Sequence, residues 1–171
     1  MSTPTDAGNT LESLMETLSN KDGMLRQGAR KALMAMGASA VLPLAEALEH
    51  SKSDQVRWEA AKALGAMHDV RAIPTLITAL ADRDSDVVWL AAVGLNAFGT
   101  KAWPELLQTL VDKGTESVVL RKELHHVFHN QKESGYEDLL AALMEALESN
   151  ALPETAPMVA HEILVRMRTK A

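Results

Sequence analysis

His125 and His129 stand four residues apart, the spacing that puts two imidazoles on one helix face within reach of a single metal ion. His126 points elsewhere, and spacing supplies no third ligand. A polar surface helix accounts for the pair as it stands, so no metal site is expected. The chain has no cysteine, which excludes disulfides, thiol catalysis and thiolate ligation. None of its nine glycines falls in GxGxxG or GxxxxGK, and no GxSxG elbow occurs. The residues therefore give no catalytic group and no cofactor, and the chain is not expected to be an enzyme. Binding chemistry is better represented. Trp58 and Trp89 are 31 residues apart, and Arg26, Arg30 and Lys31 cluster on one stretch, a charge suited to an acidic partner.

The elements that position these residues are repeats. MLRQGARKALMAMG (24–37), QVRWEAAKALGAMH (55–68) and DVVWLAAVGLNAFG (86–99) align at the same 31-residue step. Four columns match: Leu25, Val56 and Val87; Ala29, Ala60 and Ala91; Leu33, Leu64 and Leu95; Met36, Met67 and Phe98. Each block follows a shorter apolar helix, and Pro43, Pro74 and Pro104 are expected near the starts of those helices, where a missing N–H costs little. Asp and Ser in the short polar loops are expected to cap the second helices. The expected organisation is a disordered tail over 1–9 and one domain over 10–171, with helix pairs at about 10–37, 41–68, 72–99, 102–131 and 135–168. In the last pair, Leu164 and Met167 echo Leu64 and Met67.

Composition agrees. Hydrophobic residues reach 47% with only 4% aromatics, so the core is to be built from Ala and Leu, which favours packed helices over a sheet. A net charge of −6 disfavours nucleic acid as partner, and the three clustered basic residues are too few for DNA. The most apolar stretch, 87–99, is too short to span a bilayer, so no membrane partner is expected. The start, MSTPTDAGNT, lacks a signal-peptide pattern, and a cytoplasmic location is expected.

The stretch VRWEAAKALGAMHDVRAIPTLITALADRDSDVVWLAAVGL resembles HEAT repeats of the short, roughly 30-residue kind typified by phycobilisome-lyase-type repeats. The resemblance covers about residues 11–131, with 135–168 as a divergent extra repeat. It implies an all-α fold, a right-handed α-solenoid of about five helical hairpins. It also implies that the second helices line a concave surface. The family often places Arg after the Val that opens the second helix; Arg26 and Arg57 match and Val88 does not. Pairing of those arginines with acidic loop groups, as a ladder between neighbouring repeats, is the expectation. Deoxyhypusine hydroxylase, an enzyme with this repeat, holds iron with His-Glu pairs on second helices. The matching dipeptides here are Gln27-Gly28, Trp58-Glu59 and Trp89-Leu90, so that activity is rejected; His161-Glu162 alone does not make a di-iron centre.

A helix turns about 100° per residue. With Val56 at zero, Ala60, Ala63, Leu64 and Met67 form the core stripe, and Trp58 falls about 200° away beside Ala61, Lys62 and Gly65. Trp89 repeats that position with Leu90 and Val93 beside it. Leu120 continues the row in the fourth pair and Met158 in the fifth, while Gln27 and Lys31 make it polar in the first. The expected function is an adaptor that binds another protein, a partner helix or peptide lying on Trp58, Trp89, Leu90, Val93 and Leu120 with Lys31, Lys62 and Glu59 at the rim. A lyase-type chaperone subunit handling a tetrapyrrole, and a purely structural homo-oligomer, are the alternatives.

Overall fold

The computed structural model describes residues 10–114, 118–148 and 152–170; the expected tail over 1–9 lies outside them. The loops act as caps in the expected way. Thr10 opens α1 (Leu11–Thr17), and Asp22 accepts from the Met24 N–H at 2.8 Å to open α2 (Gly23–Ala35). After α3 (Ala38–His50), Ser53 caps α4 (Asp54–Met67) through the Val56 N–H. A one-turn 3-10 segment leads into α5 (Ile73–Ala79), and Asp84 accepts from the Val87 N–H in the first turn of α6 (Ser85–Phe98). Then come α7 (Trp103–Lys113), α8 (Val118–Phe128), α9 (Glu137–Glu148) and α10 (Thr155–Lys170). Among the described residues there is no strand, and the fold is all-α, built of helix pairs in the manner of an α-solenoid.

Two of the three prolines start helices as expected, Pro74 in α5 and Pro104 in α7. Pro43 does not. The chain turns at Gly37 (φ 62°) and enters α3 at once, so Pro43 sits inside the helix and removes one interior N–H.

The chain divides into two compact units, residues 1–94 and 95–171. In the first, α1, α3 and α5 pack in one row, α2 packs on α1 and α4, and α4 packs on α3. Ala29, Leu33, Ala60 and Leu64 are buried as the columns require. The opening column is graded instead: Leu25 is 52% exposed, Val56 9% and Val87 fully buried. Leu25 begins a second helix whose partner α1 has only two turns, so less surface covers it. Gly65 of α4 meets Gly94 of α6 so closely that a Cβ on either would lie 2.9 Å from the other's Cα. Only glycine permits that backbone approach.

The second unit is organised around Trp103, which is 1% exposed. Its ring centroid lies 6.1 Å from Phe128 and 5.8 Å from Tyr136, the latter edge-on. Asn96 Nδ2 donates to the Val127 and His129 carbonyls, and Gln131 Nε2 donates back to the Asn96 carbonyl at 2.8 Å. α9 packs on α8 and α10, and α10 packs on α7. Leu164 and Met167 therefore adjoin Pro104, Glu105 and Gln108 of α7, and the echo of Leu64 and Met67 does not reproduce their packing.

Candidate interaction face

Arg26 and Arg57 occupy the same position on successive second helices and do the same thing. Each guanidinium reaches back to a carbonyl six residues earlier: Arg26 Nη1 to Asn20 at 2.8 Å, Arg57 Nη1 to Ser51 at 3.0 Å. Each also reaches forward. Arg57 grips Asp82 through Nε and Nη2 at 2.8 and 3.0 Å and meets Asp54 at 2.6 Å. Arg26 Nε donates to Glu59 at 3.2 Å. Arg57 makes the expected pairing with a loop carboxylate, Asp82, while Arg26 pairs instead with Glu59 inside α4, and the series stops where Val88, a buried residue, replaces the arginine. Hydrogen bonding to Asp82 raises the Arg57 pKa. The bond from Arg57, helped by Arg83, lowers that of Asp54. These carboxylates are held by structure.

One turn further along α2 and α4 the chemistry changes. Arg30 Nη1 also bonds Glu59, so two guanidiniums converge on one carboxylate that is only 2% exposed. Glu59 is therefore a buried counter-ion and not a rim residue. Spacing alone carries no sign of this, because its partners lie a whole repeat away. Above it, Trp58 is half-buried. The Lys62 ammonium sits 4.4 Å from its ring centroid and the Arg30 guanidinium 5.7 Å. These residues line an open cleft of about 440 Å³ that extends from Gln27 on α2 to Asp84 and Asp86 at the start of α6.

Trp89, one turn beyond Asp86, is 56% exposed, and Val93, one turn beyond that, is 46% exposed. Lys31 and Lys62 are exposed as well. Leu90 is not: it is buried at 8% and belongs to the core. Ala61 and Gly65, read from angle alone as neighbours of Trp58 on an outer face, are buried too. A second helix inside a stack has neighbours on both flanks, so its open face is narrower than a two-sided helical wheel suggests. Leu120 is partly buried on α8 and belongs to the second unit, and Met158 on α10 is 69% exposed. The structure thus gathers Trp58, Trp89, Val93, Lys31 and Lys62 on the first unit's second helices.

The His125 and His129 rings stack at 5.9 Å, but His125 Nε2 is 2.7 Å from Glu148 Oε1. Among the described residues no three His, Asp or Glu side chains are grouped to hold a metal, and no helix is long and apolar enough to cross a membrane.

Residues 41–124, which span the second and third helix pairs and most of the fourth, match the protein family described as HEAT repeats. No curated protein sequence matches the chain. Among solved structures, the chain is similar to one from the complex of CpcE and CpcF of phycocyanin lyase from Nostoc sp. PCC7120. The identity is 22% and the TM-score 0.44, over 99% of this chain and 74% of that one.

Proposed function

We propose that this HEAT-repeat chain is a protein-interaction module that holds a partner helix or extended peptide against Trp58, Trp89 and Val93. The observation that carries the reading is Trp89, a large apolar side chain left 56% exposed on a helix that is otherwise mostly buried, with exposed Val93 one turn away. Exposed apolar patches with a charged rim mark interaction sites, and tryptophan is enriched among the residues that dominate binding energy. Covering the open part of one indole removes on the order of 100 Å² of apolar surface, about 2.5 kcal/mol.

The test is capture of partners from a lysate of the native source by wild type, Trp89→Glu and Trp58→Ala/Trp89→Ala, with circular dichroism to check folding. A protein retained by wild type and lost by both folded variants supports the reading. An identical catch from all three would show that the indoles serve the fold alone.

A further inference from the structure

The second helices of the first unit turn one and the same face toward the repeat before them. In α4 that face holds Glu59, which bonds Arg26 and Arg30 of α2. In α6 it holds Leu90 and Gly94, both buried, and Gly94 meets Gly65 of α4. At the same register α2 carries Gly28 and Ala32, with Leu25 and Met36 in the columns that hold Val87 and Phe98 in α6. The four α6 residues are buried, whereas Leu25, Gly28 and Met36 are exposed and Ala32 is half-buried. Gly28 also serves no purpose within its own copy. Gly65 and Gly94 must be glycine to pass each other. Among the described residues nothing lies within 4 Å of where a Gly28 Cβ would stand, and its φ is not positive. A glycine inside a helix costs helix stability. In this unit that cost is offset where a second helix closes on the glycine.

We propose that this open face of α2 binds the same face of a second copy of the chain about a two-fold axis. The face reads alike in both directions. Met24, Gly28, Ala32 and Met36 follow one another at four-residue steps, in the order large, small, small, large. Rows at that step interdigitate in the commonest class of helix packing. An antiparallel pair, with the axis midway between Gly28 and Ala32, sets Gly28 of one copy against Ala32 of the other and Met24 against Met36. Met24, left 76% exposed in the single copy, is then covered. A two-fold contact requires a self-complementary patch of this kind. None of the four side chains is charged, and the nearest charge on α2, Lys31, stands about 80° around the helix from the middle of the row. The contact continues the packing of second helix on second helix already present between α2 and α4. Residues 1–9 hold a single large apolar side chain, Met1, and match the face less well. One such face buries on the order of 1,000 Å² in all, the low end for a specific contact, so the dimer is expected to form at micromolar and not nanomolar concentration.

Sedimentation equilibrium of the full chain tests this, and a monomer–dimer equilibrium is expected. Raised ionic strength should not weaken it, since no charge pair holds it. Gly28→Glu, at an exposed position with open space beside it, should weaken the dimer by about tenfold or more while circular dichroism stays unchanged. Gly28→Ala should raise the thermal midpoint of the dilute monomer and still weaken the dimer, a split that a glycine serving only its own copy would not show. The chain has no cysteine, so a disulfide reports one introduced pair. Gly28→Cys mixed with Ala32→Cys should cross-link faster than either alone, and faster than Leu42→Cys, an exposed position on α3. A monomer at every concentration, a dimer that Gly28→Glu leaves intact, or cross-linking no faster than at Leu42 would overturn the proposal. So would a dimer that forms only after residues 2–9 are deleted, because that segment would then be the occupant. Trp89→Glu should leave the dimer unchanged; its loss there would place self-association on the tryptophan face instead.

Discussion

Between its helices the first unit sets glycine against glycine and arginine against carboxylate; the second sets Trp103 against Phe128 and Tyr136. The first solution is periodic. Small residues let the second helices approach, and a guanidinium at a fixed position ties each loop to the next repeat. Because the Ala29/Ala60/Ala91 and Leu33/Leu64/Leu95 columns recur at the 31-residue step and fill the interior, large side chains such as Trp58 and Trp89 are left towards the surface. The second solution is local. A single aromatic cluster fills the space among α7, α8 and the start of α9, and the indole is consumed by packing. Three tryptophans of one chain thus have two fates, set by whether the neighbouring helices close up on glycine or on a ring.

The largest effect is expected where that cluster is emptied. Trp103→Ala leaves a large cavity and should cost about 4 kcal/mol, with hydrogen-exchange protection lost first in α7 to α10. Arg57→Met should cost about 3 kcal/mol in the first unit, because Asp82 and the Ser51 carbonyl lose their partner at a site where Arg57 is 4% exposed. Val88→Arg tests the same rule from the other side. A buried valine is replaced by a charge with no ladder to join, and the variant should lose stability instead of extending the ladder. Gly65→Ala should cost about 2 kcal/mol, since its Cβ meets the Gly94 backbone and the helices must part. Denaturant titration checks each of these.

The smallest effect concerns pH. Asp69 accepts from the Arg71 guanidinium and backbone N–H, and those bonds hold its pKa at about 2, down from 3.8. A carboxyl depressed in the folded state contributes stability that is full above its ordinary value. That contribution fades as pH falls from about 4 through 2. Asp69→Asn should therefore lower stability slightly at neutral pH, leave it nearly unchanged below about pH 2, and so flatten the acid dependence between. An NMR titration midpoint for Asp69 near 4 would contradict the assignment.

Much of the first unit was legible from sequence. Two of the four columns, Ala29/Ala60/Ala91 and Leu33/Leu64/Leu95, are buried throughout while Leu25 and Met36 stay exposed, and Asp22, Ser53 and Asp84 cap helices as their types suggest. The arginine series was readable because Arg26 and Arg57 share a register. Less legible was anything decided between repeats. Glu59 looked like a rim charge because its two arginines lie about thirty residues upstream. Leu90, Ala61 and Gly65 looked open because helical angle knows nothing of a second flanking helix. In the second unit the echo of Leu64 and Met67 at Leu164 and Met167 misled, since α10 packs on α7 and its side chains answer to different neighbours. Trp103 gave no periodic sign at all, because its partners come once and do not repeat.

The central claim, that the indoles of the first unit serve binding while that of the second serves packing, is tested most directly by fluorine NMR of the chain labelled with 5-fluorotryptophan. Spectra would be compared before and after addition of the protein that wild type captures. The account predicts that the Trp89 resonance is the most sensitive to a soluble paramagnetic quencher in the free chain and loses that sensitivity in the complex. Trp58 should shift with it, and Trp103 should be silent throughout. Shielding absent at Trp89, or a response confined to Trp103, would contradict it.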